Sequence, residues 1–493
     1  MIIEKIDGVV NAISGVLYKP YIVPLFLIVA GIYFTIRLGL PQIRLFGESI
    51  KVVSEKPKDK NGISSFGALM VSTASRVGTG NIIGVSAAII MGGFGAIFWM
   101  WITAILGGAS AFVESTLAQI YKKKDKDGTY YGGPSYYMQD ALKQRWLGII
   151  FAIILILTYA VGYNMLASYN TQSTFEAFSF YKNAPTFMIS GNEVSLVAVI
   201  IGAVLAVLFG AVVLGGAKRL TKVTGVLVPI MGLLYVIVSL VILVLNAKYI
   251  PAMFGAIFKS AFDFQAIFGG FTGSCIMWGI KRGLYSNEAG MGSAPNAAAT
   301  ADVSHPAKQG LVQMLSVFID TLLICSATAF MCMSGQLKVG TTDLSAYVDA
   351  AGSPISGLFV QDSIFASLGS FGPIFIATAL CLFAFTTLIG NYYYCEGCLK
   401  FIMKKAPSKA FITVFRLCAT VLVFVGAILS AGLVWDTADL LQALMVVINV
   451  PVIIILGKPA IKALKDYTKQ RKEGKNPEFK ASDIGVENTE CWN

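Results

Sequence analysis

The run Ser72–Ala88 (STASRVGTGNIIGVSAA) sets Gly78, Gly80 and Gly84 beside the polar Thr79 and Asn81 and a charge at Arg76, within an otherwise apolar segment. Glycine interrupts a helix at little steric cost and leaves its backbone exposed. In a bilayer, backbone groups freed in this way are tolerated only against protein or a watery cavity. The chemistry on offer is recognition: backbone amides, carbonyls and one carboxamide side chain, held around a binding site in a broken membrane helix. The same small residues could instead form a face for close helix packing, and on this stretch alone both readings stand.

Whatever positions these groups lies in a membrane. The chain has 493 residues, 56% of them hydrophobic and 13% charged, with a mean hydropathy of +0.72; soluble domains carry roughly 25% charged residues. Apolar runs of about 20 residues, long enough to cross a bilayer, recur throughout. The N-terminal stretch carries acids and no small-residue cleavage site, so no signal peptide is expected. The net charge of +11 does not indicate nucleic acid, because the basic residues sit in short loops where they set topology. The cysteines fall mostly within predicted spans as small apolar residues. A lone C-x-x-C (Cys395, Cys398) and a single histidine, His305, do not make a zinc site. There is no G-x-x-x-x-G-K-[ST] run, so no ATP site is expected, and no His-rich, Cys/His or clustered-carboxylate constellation points to an enzyme.

Eleven spans are predicted, at 18–38, 65–91, 96–121, 147–178, 194–215, 223–246, 265–281, 308–335, 372–402, 411–431 and 437–457. A basic amphipathic segment (Arg44, Lys51, Lys56, Lys58, Lys60) should lie on the surface after the first. The tail from Lys458 is polar and expected to be partly disordered. With the N-terminus outside, six basic residues fall on that face (Lys5, Lys19, Lys182, Lys248, Lys259, Lys338), Arg76 lies within a span, and the other 31 of 38 fall opposite. The positive-inside rule then gives an external N-terminus and a cytoplasmic C-terminus.

A second glycine interruption, Phe268–Ser274 (FGGFTGS), sits five spans after the first, hence in the opposite direction. Paired interruptions in matching positions point to an inverted-repeat carrier with a midplane site. The predicted fold is an all-α polytopic membrane protein with two inverted five-span repeats, spans 2–6 and 7–11, and one extra N-terminal helix. The corresponding regions are 1–64, 65–246, 247–457 and a cytoplasmic tail at 458–493.

The motifs VGTGNIIGV (77–85), GGFGAIFWMW (92–101), GGPSYYM (132–138), KRGLYSNEAGMGSAPNAAA (281–299) and HPAKQGLVQ (305–313) resemble those of the alanine/glycine:cation symporters, within the amino acid–polyamine–cation superfamily. The resemblance runs from about residue 60 to 450. It implies the leucine-transporter-like fold of two inverted five-helix repeats, with sodium as coupling ion and no organic cofactor. It also implies uptake of small neutral amino acids, L-alanine and glycine first and D-alanine possible, across a prokaryotic plasma membrane. After AFTTLIG (384–390) relatives commonly carry tryptophan; here the residue is Asn391, which implies a wider or more polar pocket.

An amino acid zwitterion needs donors for its carboxylate and acceptors for its ammonium. Half-helix N-termini supply donors, so Gly78, Thr79, Gly80 and Asn81 are the carboxylate candidates, although Asn81 could also serve as interhelical glue. Gln172 and carbonyls near Phe271, Gly273 and Ser274 are the ammonium candidates, and Phe271, Ile276 and Trp278 could cover the side chain. Similarity to the superfamily sodium site assigns the Ala74 and Val77 carbonyls and the Thr386 and Thr387 hydroxyls to sodium. The charges Arg76, Glu114, Glu176 and Asp320 have no assigned role; Glu114 or Asp320, if protonatable, would allow a proton-coupled carrier instead. Arg282, Asn287 and Glu288 are expected to hold a cytoplasmic gate or loop. An ion channel is the remaining reading, disfavoured because the two interruptions differ in sequence. Topology has a direct check: a reporter fused to the C-terminus should be active only in the cytoplasm, and one at the N-terminus only outside.

Overall fold

Apolar runs that must close their own backbone hydrogen bonds in lipid become helices, and helices account for nearly all of the regular structure. The computed structural model describes residues 2–19, 22–57, 59, 62–126, 128–189, 192–263, 274–350, 352–405 and 407–492. The main helices are α1 (Ile2–Leu17), α2 (Val23–Arg37), α3 (Phe46–Val53), α4 (Ser65–Arg76), α5 (Ile83–Gly92), α6 (Gly95–Ile120), α7 (Arg145–Ser173), α8 (Leu196–Val213), α9 (Gly216–Leu245), α10 (Ile250–Ala261), α11 (Cys275–Asn287), α12 (Pro306–Val339), α13 (Ser356–Leu368), α14 (Phe371–Met403), α15 (Lys409–Gly426) and α16 (Ala431–Lys472). Two small hairpins decorate the loops, β1 (Lys123–Lys124) with β2 (Tyr130–Tyr131) and β3 (Thr186–Ile189) with β4 (Asn192–Ser195).

Among the described residues, eight helices are long and apolar enough to cross a membrane, and α4 with α5 makes a ninth span bent by 59°. α2, at 15 residues, and α11, at 13, are shorter. Burial sorts the long helices. The apolar window of α12 is 78% buried and that of α15 only 17%, so α12 stands at the centre and α15 faces lipid. Exposed Val204, Val207, Leu233, Val244, Leu417 and Val421 on α8, α9 and α15 extend the lipid-facing surface. Two central helices are not regular: α7 turns into a π-helix over Leu157–Tyr163 and α12 over Phe318–Cys325. Such bulges redirect side chains and recur at functional sites.

Three expectations change. α10 and α13 lie between the predicted spans and were not anticipated. The helix predicted to end at 457 runs on to Lys472. The tail beyond it is ordered rather than disordered. Its backbone is tied to the bundle by Phe479 N–H to the Ser304 carbonyl (3.0 Å) and closed on itself by Ala481 N–H to the Trp492 carbonyl (2.9 Å). Trp492 is buried, donates to the Gln119 carbonyl (2.7 Å) and stacks on the Lys122 ammonium (4.7 Å). Phe479 packs on His305 (5.1 Å), and Ser304 donates to the Pro477 carbonyl (2.7 Å). Polar composition concealed these anchors, because two aromatic residues and a few carbonyls suffice to dock a short strap. Burial lowers the His305 pKa, and the ring caps α12 by accepting from Ala307 N–H at Nδ1 (3.1 Å) while Nε2 faces Asp466 (3.2 Å). Trp492→Ala should destabilise the purified protein by about 3 kcal/mol, as for other buried aromatic truncations, read as a lower unfolding temperature.

Candidate functional site

The break forms where expected. α4 stops at Arg76, a 3-10 turn covers Thr79–Asn81, and α5 resumes at Ile83. The Gly78 N–H, which in a continued helix would bond the Ala74 carbonyl, instead donates to Asn81 Oδ1 (2.8 Å). The Ala74 carbonyl is thereby released from its helical partner. Neighbouring elements explain the glycines: a Cβ on Gly78 would lie 2.1 Å from Thr387 Oγ1, and one on Gly80 2.4 Å from the Tyr285 ring.

What faces this break differs from the expectation. Of the predicted second interruption, Phe271, Gly273 and the rest up to residue 273 lie outside the described residues. Ser274 caps the outer start of α11, accepting from Met277 N–H (3.3 Å). The segment that meets the first break is Glu288–Ser293, where Glu288, Gly290 and Gly292 adopt left-handed conformations (φ 56°, 85° and 81°). α11 leads into it antiparallel to α5: Trp278 packs on Gly92, Arg282 and Tyr285 on Gly84, and Tyr285 on Gly80. A ten-residue α5 is about 15 Å long, so Trp278 sits that far from the break. Trp278 and the half-buried Ile276 therefore stand away from the break itself. Glu288 is not at a cytoplasmic end but in the centre, and Arg282 is on the opposite side from the one expected.

The two breaks are joined by buried polar contacts. Ser75 Oγ donates to Asn391 Oδ1 (2.6 Å) and lies 3.2 Å from Glu288 Oε1. Arg76 Nε stands 4.0 Å from Glu288 Oε2, and Arg76 Nη1 reaches Gln313 Oε1 on α12 (3.2 Å). Glu114 on α6 accepts from the Gly290 and Gly292 amides (3.4 and 3.1 Å) and from Asn449 on α16 (2.9 Å). Asn81 Nδ2 donates to Asp320 Oδ1 (2.7 Å) and Ser286 Oγ (2.9 Å), while Ser286 and Thr321 donate to Asp320 Oδ2 (2.7 and 2.8 Å). Asn81 is thus committed to the interhelical role that the sequence left open. The π-turn of α12 is what presents Asp320 and Thr321 to it.

The other predicted residues separate. Thr387 Oγ1 faces the Val77 carbonyl (3.5 Å). Thr386 turns away, donating to the Leu382 and Phe383 carbonyls (3.1 and 3.0 Å), as threonines in helices often do. Gln172 is buried, but its acceptor oxygen is taken by the Tyr181 hydroxyl (2.7 Å). The α7 residue beside the break is Asn170, whose Nδ2 donates to Thr79 Oγ1 (3.0 Å) and whose Oδ1 has no partner among the described residues. Nearby, Asn391 Nδ2 donates to Asn164 Oδ1 (3.0 Å), while Asn164 Nδ2 and Ser168 Oγ are buried without a partner among the described residues. Buried polar atoms left unpaired call for an explanation such as a ligand, ion or water.

A cavity of about 660 Å³ opens above the break, lined among others by Ile83, Asn170, Trp278, Arg282 and Trp435. Its floor is an ion-paired cluster: Asp439 meets Lys281 Nζ (2.6 Å) and Arg282 Nη1 (3.2 Å), and the Arg282 guanidinium lies 4.2 Å over Trp435. Glu176 and Lys182 also line this cavity. Lys281 and Arg282 therefore leave the face to which the loop count assigned them, and the imbalance keeps its sign. The residues missed from sequence were Tyr285, Ser286, Asn170, Asn164 and Asp439. The one signal for the second break was G-x-G at Gly290–Gly292, obscured by the charges around it.

The model of the sodium:alanine symporter family matches residues 3–481. The chain is 42% identical to the amino-acid carrier protein AlsT of Bacillus subtilis, covering 94% of each chain, and 42% identical to the probable sodium/glutamine symporter GlnT of the same organism, covering 100% and 96%. It is 37% identical to the sodium/alanine symporter AgcS of Methanococcus maripaludis, covering 95% and 99%. Its fold is similar to that in the crystal structure of MhsT in complex with L-phenylalanine, with a TM-score of 0.53 at 16% identity, covering 88% and 94%.

At Gly390 an added Cβ would lie 2.5 Å from Ser75 N and 2.9 Å from Ala74 C, backbone atoms of α4 that have no rotamer to move. Gly390→Ala should destabilise by about 1–3 kcal/mol, as overpacking does, and lower the unfolding temperature. At Gly80 the clash is with the buried Tyr285 ring, so Gly80→Ala and Tyr285→Ala should each lower the unfolding temperature, and the double variant should lose less than the sum of the two.

Proposed function

The chain belongs to the sodium:alanine symporter family, and from that premise we propose that the paired breaks bind one small neutral amino acid together with sodium and carry both across the membrane by alternating access. The observation that carries this reading is the meeting of two antiparallel half-helices at their breaks, Ser75 against Glu288 and Asn81 against Ser286. The amides of the Thr79–Asn81 turn sit at the N-terminal end of α5, where the dipole favours a carboxylate. Carbonyls released at both breaks accept from an ammonium. The Ala74 and Val77 carbonyls and the Thr387 hydroxyl hold sodium, and Thr386 drops out of that set. Residues 65–246 and 247–457 act as the two repeats. The Lys281/Arg282–Asp439 cluster closes the cavity side, which is external if the N-terminus is outside a prokaryotic plasma membrane. L-alanine and glycine are the first substrates, with D-alanine to be tested beside them.

A second reading of the substrate rests on the buried Asn391–Asn164 pair. Two carboxamides and the Ser168 hydroxyl beside the first break suit a hydrogen-bonding side chain, such as that of glutamine, better than a methyl group. Competition of labelled alanine uptake by serine, glutamine and valine separates the two readings.

The deciding experiment is uptake of radiolabelled alanine, glycine and glutamine into proteoliposomes under an imposed sodium gradient or an equal proton gradient. Accumulation under the sodium gradient alone is expected, and accumulation of none of the three under either gradient overturns the symporter reading for these substrates. Thr387→Val should raise the sodium concentration for half-maximal uptake about tenfold, the equivalent of about 1.4 kcal/mol, and Thr386→Val should leave it unchanged.

A further inference from the structure

The face that carries the excess of lysine and arginine holds a second cavity, of about 480 Å³, between the β1–β2 hairpin, the start of α7 and the end of α14. Five cationic side chains line it (Lys123, Arg145, Lys400, Lys404 and Lys405) against two carboxylates, Asp125 and Glu490, and a third, Asp140, pairs with Lys123 from just outside the lining (2.9 Å), which leaves a formal excess of two positive charges. Both lining carboxylates are already engaged, Asp125 with Lys400 (2.8 Å) and Glu490 with Lys123 (3.5 Å). Arg145, Lys404 and Lys405 form no ion pair among the described residues.

The cavity is built rather than merely lined by loose lysines. The Arg145 guanidinium is fixed by donating to the Phe401 carbonyl (2.9 Å) and to Gln139, and it lies 4.8 Å over the Phe401 ring. Tyr131, Tyr136 and Phe401 form an edge-to-face aromatic wall with centroid separations of 5.6 and 4.9 Å. Lys404 ends α14 in the left-handed region (φ 59°), a conformation that costs a non-glycine residue about 1 kcal/mol or more. Beside Arg145, Trp146 is 60% exposed. An exposed tryptophan at the start of a span marks the level of lipid headgroups.

We propose that this cavity binds a phosphate-bearing anion, borne by a lipid headgroup or free in solution. A fixed planar guanidinium with two neighbouring ammonium groups suits phosphate oxygens, and basic pockets at this depth recognise anionic headgroups. The ligand neutralises charge that the protein leaves unpaired, and it ties the β1–β2 hairpin and the tail residue Glu490 to α14.

The test uses the full chain in detergent with phosphatidylcholine. Unfolding temperature is followed while titrating phosphatidylglycerol in one arm and inorganic phosphate in the other. A saturable rise is expected in at least one arm. A rise with the lipid alone assigns a headgroup, and a rise in both means that the phosphate group suffices. Lys404→Glu with Lys405→Glu, both exposed, should raise the midpoint concentration at least about fivefold, from the worth of a surface lysine toward an anionic lipid. Lys469→Glu with Lys472→Glu, exposed at the end of α16 and outside the cavity, should not. Absence of saturation in both arms, or an equal shift from the control pair, overturns the proposal.

Discussion

A helix cannot simply be broken inside a bilayer, because each backbone group it releases costs several kcal/mol unless something else bonds it. The arrangement around Gly78 satisfies this constraint by setting one break against another. Asn81 accepts the released Gly78 amide and donates into the Asp320–Ser286 network. Glu114 takes up two amides of the Glu288–Ser293 segment from the far side. Neither break is stable in lipid without these neighbours, so the positions of α6, α12 and α14 around them are consequences of the break as much as its supports.

The same constraint governs the buried charges. Arg76, Glu114, Glu288 and Asp320 are all buried; Glu114 and Asp320 each accept two or more hydrogen bonds, and Glu288 accepts one from Ser293 with Arg76 4.0 Å away. Desolvation makes a buried pair a poor source of stability, while removing one member of it is severe. The network is therefore best seen as a fixed polar frame that specifies how the half-helices register. Arg76 serves that frame from the hinge itself, touching both the second break and α12.

Most of the architecture was legible because lipid enforces long apolar runs, and the first break was legible because Gly78, Thr79, Gly80 and Asn81 interrupt one of them. The segment that meets it, Glu288–Ser293, was missed for a physical reason. FGGFTGS draws the eye because its surroundings are apolar, whereas Glu288–Ser293 follows Lys281 and Arg282 and resembles a surface loop. Only tertiary contact shows those charges to be neutralised by Asp439, about 160 residues away. Adjacent residues such as Thr386 and Thr387 could not be separated either, since helix rotation decides which hydroxyl faces α4. The polar tail defeated composition because its docking rests on a few aromatic residues, Phe479 and Trp492 among them, and on bonds to its backbone carbonyls.

The closing cluster ties the two ends of the chain together. Asp439 and Gln442 reach both Arg282 and Tyr18, so the last long helix completes contacts begun by the first segments of the chain. Both the carboxylate that pairs with Arg282 and the Trp435 ring beneath its guanidinium come from α16. The first segments and the last long helix therefore share one set of polar contacts, which can close only when both ends of the chain are in place.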